Sequence, residues 1–427
     1  MQFLKNVLST IVGLFIFCLL FFFLIVLIGV AAGSSKEDVV QVKDNSVIEL
    51  DIKKVKDDYA GKFTYTDFQM LDSEPKDGVT DILKALKAAQ KDDRIKGISI
   101  TNSTSMLGMA QSKALRDGLE EFRKSGKWVM AYSDSYSQTD YYLNSVADTI
   151  YLNPVGEMEF KGLSSEVMFF KDFQEKTGIK MEVIRHGKYK SAVEPFLSNE
   201  MSPANREQLT ALLNSIWSSV AADIAKSRKI SVAAVNDIAE NLSARTPELA
   251  KQNKLIDKIG YEDEYRNGIR KALKVKKGEE YNTVDILDYV SSADMSDILS
   301  DATDRIAIIY AQGEIMPGKG DINVVSEGAM RESLEEARND DAVKAIVLRV
   351  DSPGGSALTS DIIWREIELT KKVKPVVVSM GNLAASGGYY ISCNANRIFA
   401  EPNTITGSIG VFGMLPNFTQ LSEKIGI

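Results

Sequence analysis

The run VKAIVLRVDSPGGSALTSDIIWREIELTKKVKPVVVSMGNLAASGG, residues 343–388, alternates short β-branched stretches with one helical stretch. Residues 343–350 and 375–380 are strands by composition, and the spacing of Ile362, Ile363, Ile367 and Leu369 predicts a helix over 361–372 between them. Two strands that need a helical crossover lie parallel, in a sheet with both faces covered. The fold class is therefore α/β. Each strand runs into a loop of small residues, 351–356 after the first and 381–388 after the second. In an open parallel sheet such loops converge on one crevice at the carboxyl ends of the strands.

The first loop, Asp351-Ser352-Pro353-Gly354-Gly355-Ser356, removes side chains and turns backbone N–H groups toward a cleft, which suits an oxyanion site. Taken alone, it reads more readily as a tight strand-to-helix turn with a small-residue start. The second loop adds a hydroxyl: small neighbours leave Ser386 accessible, and Gly387-Gly388 open a helix predicted over 388–394. Ser386 as nucleophile, with the N–H groups of Gly387 and Gly355 as oxyanion donors, makes a coherent acyl-transfer arrangement. A base must take the serine proton. His186, the single histidine, fits by residue type, and a desolvated lysine with a depressed pKa fits as well. The residues leave both open.

Outward from this run, a further strand at 305–311 starts the block, and a shift of 248 residues aligns 343–427 with 95–179 without a gap. Identities include Ile98/Ile346, Tyr141/Tyr389, Tyr142/Tyr390, Pro154/Pro402, Gly162/Gly410 and Gly178/Gly426. The full set exceeds the roughly five that chance pairing gives. One fold occurs twice: a first copy in 36–290, a Ser- and Asp-rich linker or short surface helix at 291–304, and a second copy in 305–427. Gln138 stands opposite Ser386, so the first copy lacks a nucleophile.

The whole chain has 427 residues, 44% hydrophobic and 26% charged, with net charge −8. This excludes global disorder and argues against nucleic acid as a partner. Cysteine occurs only at Cys18 and Cys393, so neither a disulfide framework nor a thiolate metal cluster is available. Residues 11–32 are almost wholly apolar, and as a helix they rise about 33 Å, enough for a ~30 Å hydrocarbon core. Residues 1–35 therefore read as a cytoplasmic tip and a lipid-bilayer anchor. A cleavable signal peptide, suggested by Ala31, Ala32 and Gly33, would carry a shorter apolar core. Lys5 before the span, against Glu37 and Asp38 after it, puts the short N-terminus in the cytoplasm.

Four stretches together carry a family resemblance: GKYKSAVEPF at 187–196, DSPGGS at 351–356, SMGNLAASGGYY at 379–390 and TGSIGVFG at 406–413. They closely resemble the signal peptide peptidase A family in its long, duplicated form, membrane-bound Ser-Lys peptidases of the Clp protease/crotonase superfamily. The resemblance implies tandem Clp protease/crotonase-like repeats with a parallel sheet, behind one N-terminal transmembrane helix. It puts the nucleophile on Ser386, the general base on Lys190, a lysine-positioning role on Ser408, and the oxyanion turn on Gly355, Gly387 and Gly354, with Gly355 ranked above Gly354. It implies serine endopeptidase activity on signal peptides and other apolar peptides, no cofactor or metal, and a homotetramer in the bacterial inner membrane with its catalytic part outside the cytoplasm. The one site per chain forms where the copies meet or across a subunit boundary. The family continues well past the position matching Ile427, so the sequence reads as a partial chain whose second copy leaves apolar surface uncovered. A catalytically silent scaffold and a crotonase-type acyl-CoA enzyme are the rival readings; the first leaves Ser386, Lys190 and Ser408 as coincidence, and the second usually lacks the pair.

Overall fold

The structure, a computed structural model, describes residues 2–33, 41–58, 78–101, 106–292 and 303–427. Helix α1 (Gln2–Gly33) carries the apolar run. Its stretch Lys5–Leu24 has mean hydropathy 2.8 and no part of it is buried in the protein, so by length and composition it can cross a membrane. Residues 34–40 and 293–302, the second being most of the linker expected at 291–304, lie outside the described residues.

The first copy builds a six-stranded sheet. β1 (Ser46–Asp51) starts it; α2 (Val79–Lys91), with Ile82, Ala85, Leu86 and Ala89 on one buried stripe, leads to β2 (Ile95–Thr101). α3 (Met109–Lys124) buries Leu115, Leu119 and Phe122 and leads to β3 (Trp128–Tyr136). α4 (Gln138–Asn144) precedes β4 (Thr149–Met158). α5 (Lys171–Thr177) and β5 (Lys180–Arg185) then leave the sheet. α6 (Pro203–Arg228), α7 (Val232–Glu240) and α8 (Pro247–Gln252) bring the chain back to β6 (Lys258–Ile259). α9 (Glu262–Leu273), β7 (Thr283–Asp285) and α10 (Ile286–Ser292) close the copy. Strand order is β6-β4-β3-β2-β1-β7, all parallel.

The second copy starts with β8 (Arg305–Gln312), β9 (Glu314–Ile315), β10 (Val324–Val325) and α11 (Glu327–Asn339). β11 (Val343–Ser352), α12 (Ala357–Lys371), β12 (Val376–Ala385), α13 (Gly387–Ser392), β13 (Arg397–Phe399) and β14 (Ile405–Gly407) follow. β15 (Phe412–Asn417) and α14 (Thr419–Ile425) come last. The parallel order is β13-β12-β11-β8, with β14 on the end of β12. α2, β2, α3, β3, β4 and α5 each begin 248 residues before α11, β11, α12, β12, β13 and α14. The shift read from residue identities thus recurs in the architecture.

Boundaries moved where tertiary partners act. The helix expected from residue 361 begins at Ala357, because Ser356 Oγ accepts the Thr359 N–H and starts the first turn earlier. The loop expected from residue 381 stays in β12 through Ala385, because Leu383, Ala384 and Ala385 pair with β14. The helix expected over 388–394 is α13.

Each copy has its own apolar core, one around Ile48, Ile98, Val129 and Ile150, the other around Ile346, Leu348, Val376 and Val378. A polar tie fixes α6 over the first. Arg116 on α3 is 1% exposed and donates to Tyr142 O, Ser145 Oγ, Asp223 O and Ser227 Oγ. Arg116→Ala removes all four bonds at a largely buried tie, and urea denaturation is expected to register a loss of about 3 kcal/mol.

Candidate active site

Ser386 follows β12 directly and takes φ 54° with ψ −114°, a conformation that residues with side chains rarely adopt. The surroundings enforce it: Ser386 N–H donates to Gly407 O, and Tyr390 N–H donates to Ser386 O, each at 2.9 Å. The sharp turn turns the hydroxyl toward the cleft rather than along the sheet.

Lys190 comes from the first copy. β5 pairs antiparallel with β15, Ile184 opposite Gly413, and this ribbon carries the segment after β5 across to the second copy. Lys424 Nζ, donating to Glu175 O and Lys176 O at 2.9 Å each, fastens α14 to α5 beside it. The lysine segment is anchored by Glu194, 3% exposed, whose carboxylate accepts from Ser202 N–H at 2.9 Å and Asn205 Nδ2 at 2.6 Å. Burial pushes that carboxyl up, but the hydrogen bonds outweigh it and hold it below the ordinary carboxylate range.

The Lys190 side chain is 5% exposed, and its stem packs against Gly410. Nζ lies 2.9 Å from Ser386 Oγ, 2.7 Å from Ser408 O and 3.1 Å from Ser408 Oγ. Burial pushes the amine below the ordinary lysine value of 10.5, and no neighbouring anion opposes the shift. A neutral amine has two N–H donors and one lone pair. Ser408 O can only accept, and Ser408 Oγ can accept too; with both donors placed there, the lone pair faces the Ser386 hydroxyl. Ser386, Lys190 and Ser408 therefore meet within one chain.

Gly355 and Gly387 line the same cleft of about 690 Å³ as Ser386 and Lys190. Their N–H groups find no acceptor among the described residues. Gly354 differs: its N–H donates to Ser352 Oγ at 3.2 Å. His186 is exposed and hydrogen-bonds to nothing among the described residues, so it is not brought to the serine. Ile409, Val411 and Phe412 give the cleft an apolar wall, and Gly410 covers the lysine stem. Sequence reading quoted this stretch without assigning these residues, and it passed over Glu194. Loop residues without a period of 2 or 3.6 give no burial signal.

A model of peptidase family S49 matches residues 121–276 and 368–427, so one match holds Lys190 and the other Ser386. The protein named Protease 4 of Haemophilus influenzae is 36% identical over 362 residues, covering 81% of this chain and 58% of that protein. The one of the same name from Salmonella typhi is 36% identical over 358 residues, covering 81% and 57%. The protein named Serine protease SPPA, chloroplastic, of Arabidopsis thaliana is 35% identical over 351 residues, covering 80% and 51%. The chain spans a little over half the length of these relatives. With both matched segments meeting at one serine and one buried amine, and likeness running through four fifths of the sequence, the chain belongs to peptidase family S49.

Proposed function

We propose that the chain acts as a serine endopeptidase with a Ser386–Lys190 dyad. The observation that supports it most is a desolvated amine 2.9 Å from a hydroxyl held in a sharp turn. Lys190 Nζ takes the Ser386 proton as Oγ bonds to the substrate carbonyl carbon, and the N–H groups of Gly355 and Gly387 hold the resulting oxyanion. The C–N bond then breaks, and Lys190 returns the proton to the departing amine. Water, deprotonated by the same amine, displaces Oγ from the ester and releases the acid. Ser408 holds Lys190 Nζ against the serine, so that its lone pair, whenever the amine is neutral, is aimed at the hydroxyl.

The apolar wall of the cleft and the apolar helix α1 favour apolar peptides reached from a bilayer, the signal peptides left after secretion foremost among them. In this reading residues 11–32 anchor the protein in the bacterial inner membrane, the catalytic part lies outside the cytoplasm, and the full assembly is a homotetramer.

Only the unprotonated amine can act as base. The rate of Ser386 labelling by a fluorophosphonate is therefore expected to rise with pH along one ascending limb, centred below 10.5, and then level off. His186→Ala should leave that limb in place. A limb that vanishes in His186→Ala, or a serine other than Ser386 carrying the label, would replace this reading.

A further inference from the structure

Lys190 and Ser386 belong to different copies, so their separation depends on how the copies are set against each other. The β5–β15 ribbon is one tie, but most of its side chains are exposed. A second tie lies behind the serine and is partly buried. Asn382, on β12 four residues before Ser386, accepts through Oδ1 from the N–H groups of Ala110 and Gln111, at 3.1 and 3.0 Å. These are donors of the first turn of α3, in the other copy. Through Nδ2 the same amide donates to Asp351 Oδ2 at 3.0 Å, while Asp351 Oδ1 accepts the Leu383 N–H at 2.9 Å. Asp351 stands near the end of β11, just ahead of the turn that carries Gly355.

Two observations make this contact specific. The N-cap position of α3 is Gly108, which has no capping side chain, and a Cβ there would stand 2.3 Å from Asn382 Cγ. The helix is left open for a cap supplied by the other copy. Its counterpart α12 is capped by its own Ser356. The residue matching Asn382 in the first copy is Asp134, which is exposed and bonds to Tyr132 and Asn153 instead of a helix. The repeated fold therefore does not itself require the contact.

We infer that Asn382 is a positioning residue: its amide, donor at one end and acceptor at the other, locks the nucleophile strand and the oxyanion turn of one copy onto a helix of the copy that carries the lysine. The inference rests on the Ser386–Lys190 reading. Asparagine suits the position because Asp351 demands a donor and the helix terminus demands an acceptor. The charged groups facing this pair are Asp58 and Arg349, themselves joined across the copies at 2.8 Å. Burial, with Asp58 adding to it, pushes the Asp351 carboxyl up.

Two variants of the full chain test it. Asn382→Ala is expected to lower kcat on an apolar peptide, and the fluorophosphonate labelling rate, by roughly 10- to 100-fold with KM little changed, the effect of a misplaced reacting group. Asn382→Asp keeps the acceptor for α3 but sets a carboxylate against Asp351. Two such groups share a proton only at low pH, and that proton restores the missing donor. The ratio of variant to wild-type labelling rates should therefore be highest in acid and fall as pH rises, a trend that a merely structural role does not produce. If Asn382→Ala does not fold, the Asn382→Asp ratio decides alone. A ratio flat with pH overturns the inference, as does wild-type kcat in Asn382→Ala, provided Lys190→Ala is inactive in the same assay. Activity retained in Lys190→Ala overturns the dyad reading instead.

Discussion

Lys190→Ala is expected to cut both fluorophosphonate labelling of Ser386 and cleavage of an extended apolar peptide by about 10,000-fold, the scale on which an activating base contributes when nucleophile and base act as a unit. Ser386→Ala should be no more active. Lys190→Arg should fail as well, since guanidinium stays protonated and offers no lone pair. The same substitution has a thermodynamic signature. The folded state holds this amine below 10.5 and the unfolded chain does not, so the unfolded chain binds more protons in the window between the two values. Wild-type stability should rise with pH through that window. Lys190→Met, which removes the titrating group, should lack that rise in thermal melts. Labelling retained in Lys190→Ala but lost in His186→Ala would assign the base to histidine.

Gly354→Ala is expected to cost about 100- to 1,000-fold in kcat although the N–H of Gly354 points to Ser352 Oγ and away from any oxyanion. Gly354 has φ +94°, and a Cβ there would stand 2.4 Å from Gly387 N, 2.8 Å from Ala385 O and 2.9 Å from Ser386 Cβ. These are backbone atoms and the root of the nucleophile, so nothing flexible can yield. Either the turn at 353–355 moves or the serine does, and both separate the hydroxyl from the donors at Gly355 and Gly387. The forced backbone also lowers stability, by about 1–3 kcal/mol. Wild-type kcat in a folded Gly354→Ala protein would mean that the two turns tolerate sliding past each other and that the serine geometry is loosely set.

The α/β architecture was legible because it leaves periodic traces, β-branched strands and amphipathic helices, and the constant 248-residue shift of the identities recurs in where its elements begin. Ser386, Lys190 and Ser408 were legible only through motifs; their meeting at 2.7–3.1 Å comes from how the copies are set. β5 carries only a faint strand signal, a short polar–apolar alternation over Lys180, Met181, Glu182 and Val183, because no side chain of it is fully buried. Asn382 was invisible for a related reason. A capping asparagine is recognised by the helix that follows it, whereas this one caps a helix that starts more than 270 residues earlier. Glu194 likewise looks like one acid of a polar loop until its partners on α6 are known.

The ribbon of β5 and β15 also sets the order of events during synthesis. The amine leaves the ribosome 196 residues ahead of the hydroxyl that the proposed dyad pairs it with, and the first copy has Gln138 where the second has Ser386. On the proposed dyad, the pair comes together only once translation has delivered β15 and the late strand has docked beside the early one, so synthesis of the first copy alone assembles no active pair.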